Sequence, residues 1–127
     1  MNTSHHIKRR VLNLCLLGGL GLAPAGCLTT EQMAPPVESL APSVQATGVD
    51  LEQLKRGRHI YLTDCARCHA VEPIDHYSRS EWLNIMPDMA EESELTPDET
   101  DDVETYVLTA HEYMRLNSQA NNTSSAR

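Results

Sequence analysis

Apolar positions recur at helical intervals in three stretches of the chain, and no stretch alternates apolar and polar residues as a half-buried strand would. The first, "DLEQLKRGRHIYLTDCARCH", opens with Asp50 as a candidate N-cap and carries Leu51, Leu54, Arg58 or His59, and Tyr61 or Leu62 at helical spacing. Gly57 in its middle costs about 1 kcal/mol relative to alanine, so it needs a reason, and close approach of another helix supplies one. The second, "SRSEWLNIMPDM", begins with Ser78 followed three residues later by Glu81, a capping-box pair, and places Trp82, Ile85, Met86 and Met89 on one side. Pro87 is expected to end or bend this helix near Met86. The third, "TPDETDDVETYVLTAHEYMRL", has Thr96 as cap, Pro97 at the first helical position and Glu99 completing the box. Asp98, Glu99, Asp101 and Asp102 complement its dipole, and Val103, Tyr106, Val107, Ala110 and Met114 form its inward stripe. Helical signals stop near Asn117, and the polar residues 118–127 are expected to be disordered.

Ahead of these helices the pattern changes. "HHIKRR" followed by "VLNLCLLGGLGLA" has the charge and length of an export signal over residues 1–26, too short and glycine-rich for a comfortable membrane span. "APA" at Ala23 to Ala25 fits an ordinary signal cut, whereas "AGC" at Ala25 to Cys27 resembles the end of a bacterial lipoprotein signal, with Pro24 where an aliphatic residue is usual. Cysteine accounting favours lipid on Cys27, since an ordinary cut leaves an unpaired thiol in an oxidising compartment. Residues 27–49, rich in Pro, Ser, Thr and Ala, are then expected to form a flexible tether to a domain over residues 50–117.

Charge narrows the partners. Removing residues 1–26 takes away three basic residues and no acidic one, leaving seven basic against 18 acidic residues, a net of −11. Such a chain will not bind nucleic acid or anionic lipid by charge, and any partner steered to it presents a basic face. Its contact with a membrane would come only through a lipid on Cys27.

A domain of this size with one Trp and no Phe buries too little apolar surface to be secure on its own side chains. Cys65, Cys68 and His69 suggest what else could fill it. A redox dithiol wants its Cys-x-x-Cys at a helix N-terminus after a strand, but this motif ends a helix in a strandless chain. A zinc site needs a fourth ligand, for which the domain offers His59, His76 and His111 without the usual second ligand pair. Covalent haem c needs two thiols at this spacing, a following histidine for the iron and an exported chain, all of which are here.

With "CARCH", Gly57, Tyr61 and the Tyr106-Val107 pair, residues 51–116 resemble the small monohaem class I c-type cytochromes. The segment "WLNIMPDMAEESELTPDETDDVETYV" is similar to exported bacterial members with a Trp, a Met and a capped last helix. The resemblance implies an all-α fold of three to four helices around one covalently bound haem, with the terminal helices crossing at Gly57. It implies attachment through Cys65 and Cys68, His69 as one iron ligand, and a methionine as the other: Met89 as first choice, Met86 as second. Both methionines share one helical face, so spacing leaves the two open, with His59, His76 and His111 as remaining candidates. It further implies Pro73 as the carbonyl that accepts the His69 ring hydrogen, and Tyr77, Arg79 and Trp82 as neighbours of the haem propionates. The function implied is one-electron transfer between redox proteins in the bacterial cell envelope, without enzymatic chemistry. A haem-based gas sensor or weak peroxidase with a labile sixth ligand is the alternative, and a zinc-binding module a distant one.

Overall fold

A computed structural model describes residues 28–45 and 47–127, and the expected signal 1–26 and Cys27 lie outside them. The described residues are helical without a strand: α1 Thr30–Met33, α2 Val37–Val44, α3 Leu51–Thr63, a 3₁₀ turn Cys65–Arg67, α4 Arg79–Glu92 and α5 Pro97–Ser125. No helix among them is long and apolar enough to cross a membrane.

The three anticipated helix starts are capped as their sequences suggest. Asp50 accepts the Glu52 N–H at 3.1 Å, and Ser78 with Glu81 and Thr96 with Glu99 form reciprocal capping boxes. Among the described helices, α3 and α5 share the most extensive contact. Gly57 is buried against Asp102 and Tyr106, and Arg56 beside it grips the buried Asp102 carboxylate through Nε at 2.6 Å and Nη2 at 3.0 Å. Two charge-assisted bonds in a fork geometry offset the desolvation of that carboxylate.

Of the expected tether over residues 27–49, the described residues 28–45 are folded instead. Thr29 and Gln32 cap α1, and α2 buries Val37, Leu40 and Val44, three residues of one helical face, in the common core with Leu54, Tyr106 and Val107. Polar contacts fasten the connection between α1 and α2: the Tyr106 hydroxyl donates to the Pro35 carbonyl at 2.8 Å, Arg58 donates to the carbonyls of Ala34 and Pro35, and the Ile74 N–H donates to the Met33 carbonyl at 2.9 Å. The folded unit therefore begins before Asp50, and these two helices supply core that α3, α4 and α5 lack.

Two other helices run on past an expected stop, α4 past Pro87 and α5 past Asn117. Pro87 sits inside α4, which continues to Glu92. Trp82, Met86 and Ala90 hold the helix on the core on either side of the proline, while Pro87 itself faces solvent, where water can satisfy the carbonyl that its missing N–H leaves free. At the far end of α4, Glu94 takes a left-handed conformation (φ 57°), with the Leu95 N–H on the Ala90 carbonyl and the Glu94 N–H on that of Glu91. This is a Schellman ending. The expected disordered residues 118–127 are helical to Ser125. Neither Gly nor Pro interrupts them, and Ser118, Thr123 and Ser124 each bond the carbonyl four residues earlier.

Candidate functional site

The end of α3, the loop after it and one face of α4 enclose an apolar cleft with a volume of about 200 Å³. Its walls are Tyr61, Cys65, His69, Val71, Glu72, Tyr77, Trp82, Ile85, Met86 and Met89. Four of the five residues picked from the sequence for cofactor attachment or ligation thus meet in one place. The fifth, Cys68, is exposed and does not line the cleft.

Several of these walls are positioned by identifiable bonds. Cys65 sits in the 3₁₀ turn that ends α3, half-buried, and burial pushes its thiol up, the neighbouring Asp64 carboxylate adding to this. Arg67 in the same turn donates through Nη2 to the Ser93 carbonyl at 2.6 Å. Since Ser93 caps the helix that carries Met89, this bond ties the cysteine turn to the methionine helix. Trp82 donates its indole N–H to the Ile74 carbonyl at 2.8 Å, and the fully buried Ile74 is held on its other side by Met33. Tyr61 meets Trp82 edge-on with centroids 6.1 Å apart, and Tyr77 meets the same indole at 5.2 Å. The Tyr61 hydroxyl donates to the Glu72 carbonyl, and burial holds this phenol well above its ordinary pKa, so it remains a neutral donor.

His69 is exposed on its loop, and its Nδ1 lies 2.7 Å from the Ala70 carbonyl. A carbonyl can only accept, so Nδ1 carries the ring hydrogen in this contact, and in the neutral tautomer Nε2 is the nitrogen with the lone pair. The expected acceptor, Pro73, is displaced from this role: its carbonyl takes the His76 N–H at 2.9 Å instead, closing the turn after His69.

No family model, curated protein or solved structure matches this chain.

Met86 and Met89 both reach the cleft, but differently: Met86 is 3% exposed and belongs to the core, whereas Met89 is half-buried and outside the packed cluster. Of the expected propionate neighbours, Tyr77 and Trp82 line the cleft and Arg79 does not. His59, His76 and His111 are not among its walls. Among the described residues no three His, Cys, Asp or Glu side chains gather where they could hold a metal ion, so the zinc reading finds no ligand set there. Sequence reasoning missed Val71, Glu72 and the buried Ile74, which sit in a loop without periodicity. The lone isoleucine between charged and turn residues in "EPIDHY" was the available signal.

Proposed function

We propose that the protein is a monohaem c-type cytochrome that carries one electron at a time between redox proteins in the bacterial cell envelope. The observation that carries this reading is the convergence of Cys65, His69, Met86 and Met89 on one apolar cleft, in a chain whose Cys-x-x-Cys-His run is complete.

The donor set suits haem c. Cys65 offers a thiol inside the cleft, Cys68 one that is open to an attachment machinery, and His69 an imidazole whose Nε2 is the free nitrogen. Met89 offers a thioether that core packing does not occupy, which favours it over Met86 as the second iron ligand, while Met86 fills the cleft wall as a polarisable core residue. Tyr61, Val71, Trp82 and Ile85 supply a dry surface for a flat apolar ring. A volume of about 200 Å³ falls below the roughly 300–1,000 Å³ of pockets that enclose their ligands, so an occupant of porphyrin size would not be fully enclosed here. Bound there, haem c would supply a one-electron couple at its iron.

The mature net charge of −11 suits brief encounters with a basic docking face and argues against nucleic acid as partner. Location on the periplasmic side, with lipid on Cys27, is part of the same proposal. Carbon monoxide added to the reduced protein tests the carrier reading against a gas sensor or peroxidase. An unchanged absorption spectrum over minutes is the expected result, and a rapid shift would reveal an open iron site and replace electron carriage with the alternative.

A further inference from the structure

The helices found where a tether was expected change what a lipid on Cys27 would do. Leu28 and Thr29 alone separate Cys27 from α1, and Thr29 already caps that helix, its hydroxyl accepting the Gln32 N–H while its own N–H donates to Gln32 Oε1 at 2.8 Å. Three Cα–Cα steps of about 3.8 Å, roughly 11 Å in all, are the greatest distance between Cys27 and Thr30. Beyond Thr30 the chain is fastened through the carbonyls of Met33, Ala34 and Pro35 and the buried side chains of Val37 and Leu40. A domain anchored this closely cannot sweep a shell around its anchor.

The face next to the anchor is also distinct in charge. Residues Glu31, Pro35 and Ser39 share a groove with Asn117, Ser118 and Asn121 of α5, and Leu28 is 55% exposed at the same end of the chain. From Tyr113 to Arg127 the sequence holds no acidic residue, only Arg115, which pairs with Glu112 at 2.6 Å, Arg127 and uncharged side chains. Glu31 and Asp75 are the carboxylates of the groove. The opposite half of α5 carries Asp98, Glu99, Asp101 and Glu104, and the preceding α4 ending adds Asp88, Glu91, Glu92 and Glu94, whereas Asp102 is buried and paired with Arg56. Nineteen residues separate Asp98 from Asn117, about 29 Å along a helix, several Debye lengths at physiological salt. An anionic lipid surface therefore tolerates the Asn117 end and repels the Asp98 end.

We infer that the protein, anchored through Cys27, lies against a phospholipid surface in one orientation, with Leu28 and the Asn117–Asn121 side of α5 at the headgroups and the acidic start of α5 directed away. This rests on the lipoprotein part of the proposed function and is independent of haem. The orientation leaves the acidic end free for a basic partner.

The test uses the full chain, exported and processed in a bacterial host, with p-benzoylphenylalanine in place of Asn121 in one preparation and of Asp98 in another. Both positions are exposed, so neither replacement enters the core. The protein is placed in vesicles of phosphatidylethanolamine and phosphatidylglycerol and irradiated, and lipid adducts and the mass of the N-terminal peptide are read by mass spectrometry. Lipid on Cys27 with an adduct at 121 and none at 98 is the expected result. Lipid on Cys27 with equal adducts at both positions, or with none at either, overturns the orientation while leaving the lipoprotein reading in place. An N-terminal peptide without lipid overturns both.

Discussion

Gly57 lies directly against the backbone of Asp102: a Cβ built on the glycine would stand 2.0 Å from the Asp102 carbonyl oxygen and 2.7 Å from the Tyr106 Cβ. Backbone cannot give way as a flexible side-chain tip can. Replacing Gly57 by alanine improves helix propensity by about 1 kcal/mol, yet forces α3 and α5 apart where they bury Leu54, Tyr61, Val103 and Tyr106. Overpacking of this kind costs about 1–3 kcal/mol and occasionally more. Gly57→Ala is thus expected to lower the urea midpoint despite its better propensity, and an unchanged or higher midpoint would show that the helices do not meet so closely.

Leu40 is fully buried although it belongs to a segment that reads as linker. Leu40→Ala is expected to destabilise by about 2–5 kcal/mol, as for other buried leucines, whereas a residue of a solvated tether would change nothing measurable. A chain shortened to begin at Val49 should lose more, because it also gives up Val37, Val44 and the acceptor of the Tyr106 hydroxyl. Denaturant titration of both variants decides whether residues 28–45 are part of the domain.

Met86 and Met89 separate by burial where they do not by spacing. Met89→Ala is expected to remove the methionine-to-iron absorption band of the oxidised protein with little loss of stability. Met86→Ala should keep the band and cost about 2–5 kcal/mol as a cavity in the core. The reverse pattern would make Met86 the ligand, and a band that survives both changes would point to a histidine.

The capping boxes give stability an acid limb. Glu99 is held below its ordinary pKa first by the Thr96 backbone N–H and then by the Thr96 hydroxyl, and Glu81 likewise by Ser78. A carboxylate whose folded pKa is depressed adds stability that is fully present above its unfolded value, near 4.3, and is lost as pH falls through the folded value. Stability is therefore expected to fall below about pH 4.3, and the double variant Glu81→Gln, Glu99→Gln should flatten that fall while leaving the neutral-to-alkaline range parallel to the parent. An acid limb of unchanged steepness would show that other carboxylates govern it.

What could be read in advance was local. Asp50, Ser78 with Glu81 and Thr96 with Pro97 and Glu99 announce helix starts because a cap acts on N–H groups within three residues. Gly57 announced a close neighbour because its helical cost had to be offset elsewhere. The misread parts depend on partners distant in sequence. Val37, Leu40 and Val44 have helical spacing, but Pro35, Pro36 and Pro42 masked it, and the segment is secured by Tyr106 and Arg58, 71 and 24 residues away from their acceptors. Pro87 would end an isolated helix; Met86 and Ala90 on the core keep α4 going. The cleft was half legible. Cys65, His69 and the methionine face stood in the sequence, whereas the loop wall of Val71 and Glu72 and the Ile74 clamp arise only when the chain turns back on α4.

Covalent haem is tested most directly by a pyridine haemochrome spectrum of the full chain, purified from a host with haem-attachment machinery and extracted with acidified acetone beforehand. The c-type spectrum should remain with the protein at one haem per chain, and should be lost when Cys65 and Cys68 are both replaced by serine. A colourless parent protein, or one whose colour passes entirely into the acetone, would contradict the assignment of Cys65, Cys68 and His69 to a haem c site.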